Sequence, residues 1–176
     1  MGDFAVLMTA RLMVLTYVVR LLVDVHGWPT DVRRLEKWER AVRWVWTIGC
    51  SIFLLHVVAA FQFVHGWSHA AAYAHTAKQT AAVTGWQWGG GLWINYALVL
   101  WWPVDVVWSW RRGMDHLPRG YVIGMHMIVG FLMFNATVVF GAEWWRWMVV
   151  PTLGALVWSR WDGRRGDERI APDGRG

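Results

Sequence analysis

Long apolar runs alternate with short polar and basic segments along the chain. Four of the runs are long enough to cross a hydrocarbon core about 30 Å thick at a helical rise of about 1.5 Å per residue. A fifth run is shorter and contains Pro151. The pattern predicts an all-α fold, a polytopic bundle of about five transmembrane helices. The predicted spans are residues 4–25, 44–66, 91–110, 121–142 and 147–158.

The positions of the basic residues decide between four and five crossings. Thirteen of the 17 Lys and Arg residues lie in the segments 26–43, 111–120 and 160–176. Cytoplasmic segments of membrane proteins are enriched in Lys and Arg, and five crossings, but not four, place all three segments on one side. We therefore predict an outside N-terminus and a cytoplasmic C-terminus. The predicted domains are one transmembrane domain over 1–161 and a disordered basic tail over 162–176.

The composition agrees with a membrane location. The chain is 56% hydrophobic and 16% charged, and it has 17 tryptophans, whose rings favour the headgroup level. Tryptophans such as Trp44, Trp46, Trp108 and Trp110 fall at the predicted inner surface, whereas Trp101 and Trp102 fall deep within a span. Because the basic residues flank apolar spans, the net charge of +5 indicates topology and not nucleic-acid binding. Arg outnumbers Lys 15 to 2, which is typical of a GC-rich bacterial gene and suggests the bacterial inner membrane.

Three local features predict details of the bundle. Cys50 is the only cysteine, so the chain alone forms no disulfide and no Cys-based metal site, and a buried position is expected for it. Segment 31–43 is amphipathic and predicts a short surface helix. Small residues inside spans allow close helix contact. The glycines expected in that role are Gly49, Gly124, Gly130 and Gly141.

A polar, histidine-containing segment follows the second span. If residues 61–80 form one helix, its polar residues recur at steps of three and four and share a face at the outer membrane surface. They are Gln62, His65, His69, Tyr73, Thr76 and Thr80. His65 and His69, with His75 nearby, are candidate ligands of a transition metal ion. The alternative is that these histidines only hydrogen bond at the membrane surface. The residue directly after His65 is Gly66 and not Glu, so the zincin pattern is absent.

A second pair of histidines suggests a haem site. Haem b is bound by paired histidines, and His56 and His126 lie on different predicted spans. Their predicted depths in the membrane differ by about 10 Å, which counts against a shared haem. We keep His56 and His126 as candidate ligands of haem b, with the transition metal ion as the other cofactor hypothesis.

Charged residues inside the predicted spans form a further candidate site. Arg20, Asp24, Asp105 and His126 all fall in the inner half of the membrane, where an unpaired charge costs several kcal/mol. The first interpretation is a buried polar network that holds the bundle together, with an ion pair between Arg20 and Asp105 and with His126 nearby. The second is a site that exchanges protons or binds a quinone headgroup.

Three functions are compatible with these features. The first is an accessory or cofactor-holding subunit of a bacterial membrane complex, with the His-rich site at the outer surface. The second is a small membrane redox enzyme that binds a metal or haem. The third is a structural membrane protein without a cofactor. The expected partners are the lipid bilayer and other membrane subunits or further copies of the chain, without nucleic acid.

Overall fold

The computed structural model describes residues 2–26, 32–114 and 117–139, together with the single positions 147, 151, 154 and 158. Within these ranges the regular structure is helical and contains no strand, which confirms the predicted all-α fold. The helices are α1 (Gly2–His26), α2 (Val32–Ala60), α3 (His69–Thr84), α4 (Gly91–Arg112) and α5 (Arg119–Phe134). Helices α2 and α5 continue into π-helical turns at Phe61–His65 and Asn135–Val139.

Three helical stretches are long and apolar enough to cross a membrane, which supports a membrane location. They are Gly2–Val25, Arg34–His65 and Arg119–Thr137. Helix α4 matches the third predicted span in position, but it is not among these three, since Pro103, Asp105 and several indoles lower its hydropathy. The fifth predicted span lies outside the described residues except at four positions, and the tail over 162–176 lies outside them entirely. Five crossings and the orientation of the chain therefore stay predictions.

Consecutive long helices run in opposite directions. Near the start of α1, Thr9 Oγ1 lies 3.1 Å from His56 Nδ1 in the last turns of α2. Near the end of α1, the guanidinium of Arg20 lies over the ring of Trp46, ten positions earlier in α2. An up-and-down arrangement of this kind is expected where short segments connect membrane-spanning helices.

Two of the best-buried large side chains, Trp46 and Trp102, lie where α1, α2 and α4 meet. Trp102 is fully buried, and its ring centroid lies 4.6 Å from that of Trp46 and 5.5 Å from that of Phe53. The predicted deep position of Trp102 is thus a packing position between helices. Cys50 is buried as expected. Trp46 is only 1% exposed, so its ring packs between helices, and its predicted depth at the inner membrane surface stays a prediction.

Two of the predicted close-contact glycines allow helices to approach, and one does not. A Cβ at Gly49 would lie 2.8 Å from the hydroxyl oxygen of Thr16 in α1. A Cβ at Gly130 would lie 2.7 Å from the hydroxyl oxygen of Tyr17. At Gly124 an added Cβ meets no atom of the described residues within 4 Å. Gly141 lies outside the described residues.

The predicted surface helix over 31–43 is instead the beginning of α2, which is continuous from Val32 to Ala60. The segment contains good helix formers such as Leu35, Glu36 and Lys37, and neither Gly nor Pro separates it from the apolar part of α2. The amphipathic pattern of this segment therefore marks the first turns of α2, before its apolar part, and not a separate helix.

The prediction of one helix over 61–80 is wrong, because the chain breaks between the π-helical turn and α3. Gly66 and Trp67 both have positive φ values, of 56° and 58°. Ser68 then caps α3, and its hydroxyl accepts a hydrogen bond from the amide of Ala71 at 3.2 Å. Glycine favours a left-handed helix end and serine favours the N-cap position, so the break has a local cause. The polar stripe is consequently split between two helices.

Replacing Ser68 with Ala is expected to destabilise the first turn of α3 by about 1 kcal/mol, because the cap hydrogen bond is lost. Amide hydrogen exchange in detergent should show faster exchange at Ala71 and its neighbours. Ser51→Ala is the control, since the Ser51 hydroxyl donates to the Thr47 carbonyl within α2 and caps nothing. Unchanged exchange in α3 of the Ser68 variant would contradict the capping role.

Candidate functional site

A series of polar contacts that begins and ends on α5 connects α1, α2, α4 and α5. It begins at His126 of α5, passes through one residue pair of α1, one indole of α2 and one carboxylate of α4, and returns to α5. We call it the polar ring, and its members are His126, Asp24, Arg20, Trp46, Asp105 and Tyr121. Arg20 and Asp105 are among the few polar side chains that are buried in the described residues.

The α1 part of the ring is an ion pair that also binds the imidazole. Arg20 Nε donates to Asp24 Oδ2 at 2.7 Å, and His126 Nε2 lies 3.0 Å from the same oxygen. The side chains of Arg20 and Asp24 are only 1% and 7% exposed. One carboxylate oxygen therefore joins the cation of α1 to the imidazole of α5.

The second carboxylate of the ring is held by neutral donors. Trp46 Nε1 donates to Asp105 Oδ2 at 2.7 Å, and the hydroxyl of Tyr121 donates to Asp105 Oδ1. The expected ion pair of Arg20 with Asp105 is replaced by the pair with Asp24, which lies one turn away on the same helix. Trp46 connects the two halves, because its ring lies 5.3 Å from the Arg20 guanidinium carbon.

Arg20 is surrounded on several sides. Besides its contacts with Asp24 and the Trp46 ring, Arg20 has its Nη1 atom 3.3 Å from the sulfur of Met114, which follows the end of α4. The backbone amide of Met114 in turn donates to Glu39 of α2 at 2.8 Å. These contacts hold the guanidinium in one place, which a buried charge requires.

His126 has two different ring nitrogens. An ionised carboxylate only accepts hydrogen bonds, so the contact with Asp24 places the proton on Nε2. Nδ1 is buried and has no hydrogen-bond partner among the described residues. Tyr17 packs beside the ring, with centroids 5.8 Å apart, and its hydroxyl donates to the His126 carbonyl at 3.2 Å. An imidazole held by a carboxylate on one nitrogen is suited to accept a proton or bind a ligand with the other.

Sequence reasoning missed Trp46, Tyr121 and Met114 as neighbours of the charged residues. For Trp46 a signal was present. Its spacing of four from Cys50 places both on one face of α2, and Cys50 was expected to be buried. Met114 and Tyr121 lie near the ends of helices, and no local sequence pattern there distinguishes a residue that contacts the polar ring from one at the surface.

The predicted metal ligands His65, His69 and His75 are not brought to one point. The rings of His65 and His75 lie together, with centroids 5.2 Å apart. His69 faces α4 instead, and its Nδ1 lies 3.0 Å from the hydroxyl oxygen of Tyr96. The helix break before α3 is the reason, because it changes the direction in which His69 projects. In the described part of the chain, no group of three or more His, Cys, Asp or Glu side chains is arranged to hold a metal ion.

The candidate haem ligands also lie apart. His56 Nδ1 lies 3.1 Å from both the Val6 carbonyl and the Thr9 hydroxyl, near the start of α1. His126 contacts Asp24 near the end of α1. Positions 6 and 24 of a helix are separated by about 27 Å at a rise of about 1.5 Å per residue. The structure therefore does not bring His56 and His126 to one site.

Comparisons with protein-family models, with curated proteins and with solved structures find no match to this chain.

Proposed function

We propose that this protein is an accessory subunit of a complex in the bacterial inner membrane and that His126 of the polar ring exchanges protons within that complex. The observation that carries the proposal is the environment of the imidazole. Asp24 holds Nε2, whereas the buried Nδ1 has no hydrogen-bond partner among the described residues. Ionisable side chains inside membrane helices are costly, and they commonly mark proton or ion pathways.

Each neighbour of His126 has a role in this proposal. Asp24 selects the tautomer in which Nδ1 has a free lone pair, so that this nitrogen accepts the proton. When Nδ1 is protonated, the carboxylate of Asp24 stabilises the positive charge of the imidazolium. Arg20 pairs with Asp24 inside the bundle and balances the charge of its carboxylate while the imidazole is neutral.

The subunit role is supported by the outer faces of α4 and α5. Large apolar side chains there are well exposed, including Leu100 at 73%, Val104 at 62% and Met127 at 70%. Such faces suit lipid and neighbouring membrane helices. Proton exchange at His126 requires neither a metal ion nor haem. The proposed functional site is the polar ring and no longer the outer histidines.

Nuclear magnetic resonance of ¹⁵N-histidine-labelled protein in lipid nanodiscs tests proton exchange directly. The Nδ1 signal of His126 is expected to be that of an unprotonated nitrogen and the Nε2 signal that of a protonated one, and the ring proton is expected to exchange with the surrounding water. His126→Gln assigns the signal, and the exposed His75 is the internal reference. A protonated Nδ1, or a ring proton that does not exchange with the surrounding water, would contradict the proposal.

Two further results would test the roles of Asp24 and of the complex. In Asp24→Leu, the neutral ring is expected to populate both tautomers, because nothing then holds the proton on Nε2. The protein extracted from its native membrane in mild detergent is expected to migrate in a complex heavier than the single chain. Migration as a lone chain would exclude the subunit role while leaving the imidazole result unaffected.

A structural role for the polar ring is the second candidate function. It is favoured by the observation that the two hydrogen bonds of Asp105 connect α4 with α2 and with α5. In that case the polar ring only joins helices, and the imidazole proton of His126 does not exchange with the surrounding water. The same labelled sample therefore separates the two candidates.

A further inference from the structure

Two tryptophans lie in contact between α2 and α4, at the end of the bundle where α2 begins and α4 ends. We call this line of contact the α2–α4 seam. The rings of Trp44 and Trp110 meet edge to face, with centroids 5.2 Å apart. Trp110 Nε1 donates to the hydroxyl of Thr47 at 2.9 Å, and the Arg43 guanidinium lies 5.6 Å from the Trp110 ring. Both indoles remain partly exposed, Trp44 at 55% and Trp110 at 38%.

Cations lie beyond this pair, further from the apolar part of the bundle. Arg40 lies one turn before Trp44 on the same face of α2, and Arg111 follows Trp110 in α4. Both side chains are exposed. On the other side of the indoles, toward the bundle centre, Ile48 is 48% exposed and Val107 is 51% exposed.

The charge at this end is strongly positive. Apart from the members of the polar ring, its basic residues with described side chains are Arg34, Lys37, Arg40, Arg43, Arg111, Arg112 and Arg119, and its acidic ones are Glu36 and Glu39. Glu39 is already occupied, because it pairs with Arg43 at 2.5 Å and accepts the amide of Met114 at 2.8 Å. Clusters of Lys and Arg beside membrane-spanning helices attract anionic lipids.

We propose that the α2–α4 seam binds one anionic glycerophospholipid. Its phosphate lies between Arg40 and Arg111, its glycerol region lies on the two indoles, and an acyl chain follows Ile48 and Val107. The order of cation, amphipathic ring and apolar side chain along the seam matches the order of chemical groups along such a lipid. A zwitterionic lipid fits less well, because its ammonium group enters a region that is already positive.

Native mass spectrometry of the whole chain in mild detergent tests the proposal with phosphatidylglycerol and phosphatidylcholine as probes. The first phosphatidylglycerol is expected to bind at least about tenfold more tightly than phosphatidylcholine. The double variant Arg40→Gln/Arg111→Gln is expected to weaken phosphatidylglycerol binding roughly 30-fold. Arg111→Gln alone should weaken it about fivefold, which keeps the test available if the double variant does not fold.

Two controls define the mechanism. Lys78→Gln removes an exposed cation from α3, at the opposite end of the bundle, and should leave binding within about twofold. Arg40→Lys/Arg111→Lys keeps both charges and should stay within about threefold. Equal binding of the two lipids would overturn the proposal, and so would an unchanged affinity in the Gln variants or a loss in the Lys78 variant as large as in them. Displacement of the lipid by inorganic phosphate would overturn its assignment as a lipid site.

Discussion

Replacing Arg20 with Met is expected to lower the free energy of unfolding by about 3–5 kcal/mol. Arg20 is 1% exposed and donates to Asp24 at 2.7 Å, so its removal leaves a buried carboxylate without its cation. The stacking on Trp46 is lost as well. Unfolding by sodium dodecyl sulfate from mild detergent, followed by the near-ultraviolet circular dichroism of the buried indoles, measures the change.

The mechanism predicts that a second substitution restores stability. Arg20→Met/Asp24→Leu leaves neither charge unpaired, so it should be more stable than Arg20→Met alone. Arg112→Met is the peripheral control. Arg112 is exposed at the end of α4 and lies over the Trp108 ring at 5.4 Å, so its loss should cost no more than about 1 kcal/mol. A double variant that is as unstable as the sum of its single variants would exclude the unpaired charge as the cause.

Gly49→Val is expected to have the next largest effect, a loss of about 3 kcal/mol from overpacking. A Cβ at position 49 would already lie 2.8 Å from the Thr16 hydroxyl and 3.3 Å from the Trp102 ring. Trp102 is fully buried and Thr16 donates to the Met13 carbonyl, so neither side chain moves away easily. The same detergent unfolding experiment applies, with Gly49→Ala expected to lie between the wild type and Gly49→Val.

Gly124→Val is the matched control for this change. It adds the same side chain to a membrane-spanning helix at a position where a Cβ meets no described atom within 4 Å. Its stability should stay within about 1 kcal/mol of the wild type. If both glycine variants lose the same stability, the effect comes from valine in a helix and not from the contact between α1, α2 and α4.

The helices themselves were largely predictable. Predicted spans 4–25 and 91–110 correspond to α1 and α4, Gly2–His26 and Gly91–Arg112, within about two residues at each end. The reason is that long apolar segments must satisfy their backbone hydrogen bonds internally, which makes the helix the only local solution for a single segment in lipid. The break at Gly66–Ser68 was not predicted, because the polar residues on both sides of it recur at helical spacing.

The sequence predicts which charged residues belong to the candidate site, but it does not predict which of them contact one another. Arg20, Asp24, Asp105 and His126 are polar residues within apolar helices at similar predicted depth, and composition alone selects them as a group. Which of them meet depends on the rotation of each helix about its axis. The carboxylate of Asp24 faces both Arg20 and His126, whereas Asp105 faces the indole of Trp46.

The sequence by itself determined that the chain forms apolar helices and that a few charged side chains must be buried among them, because both follow from local composition and spacing. Only the tertiary structure decided that His126 Nε2 meets Asp24 while Nδ1 has no partner among the described residues. The same holds for the separation of His69 from His65 and His75. These outcomes depend on helix rotation and on one break in the chain, and a rotation of one residue, about 100°, changes every partner of a side chain.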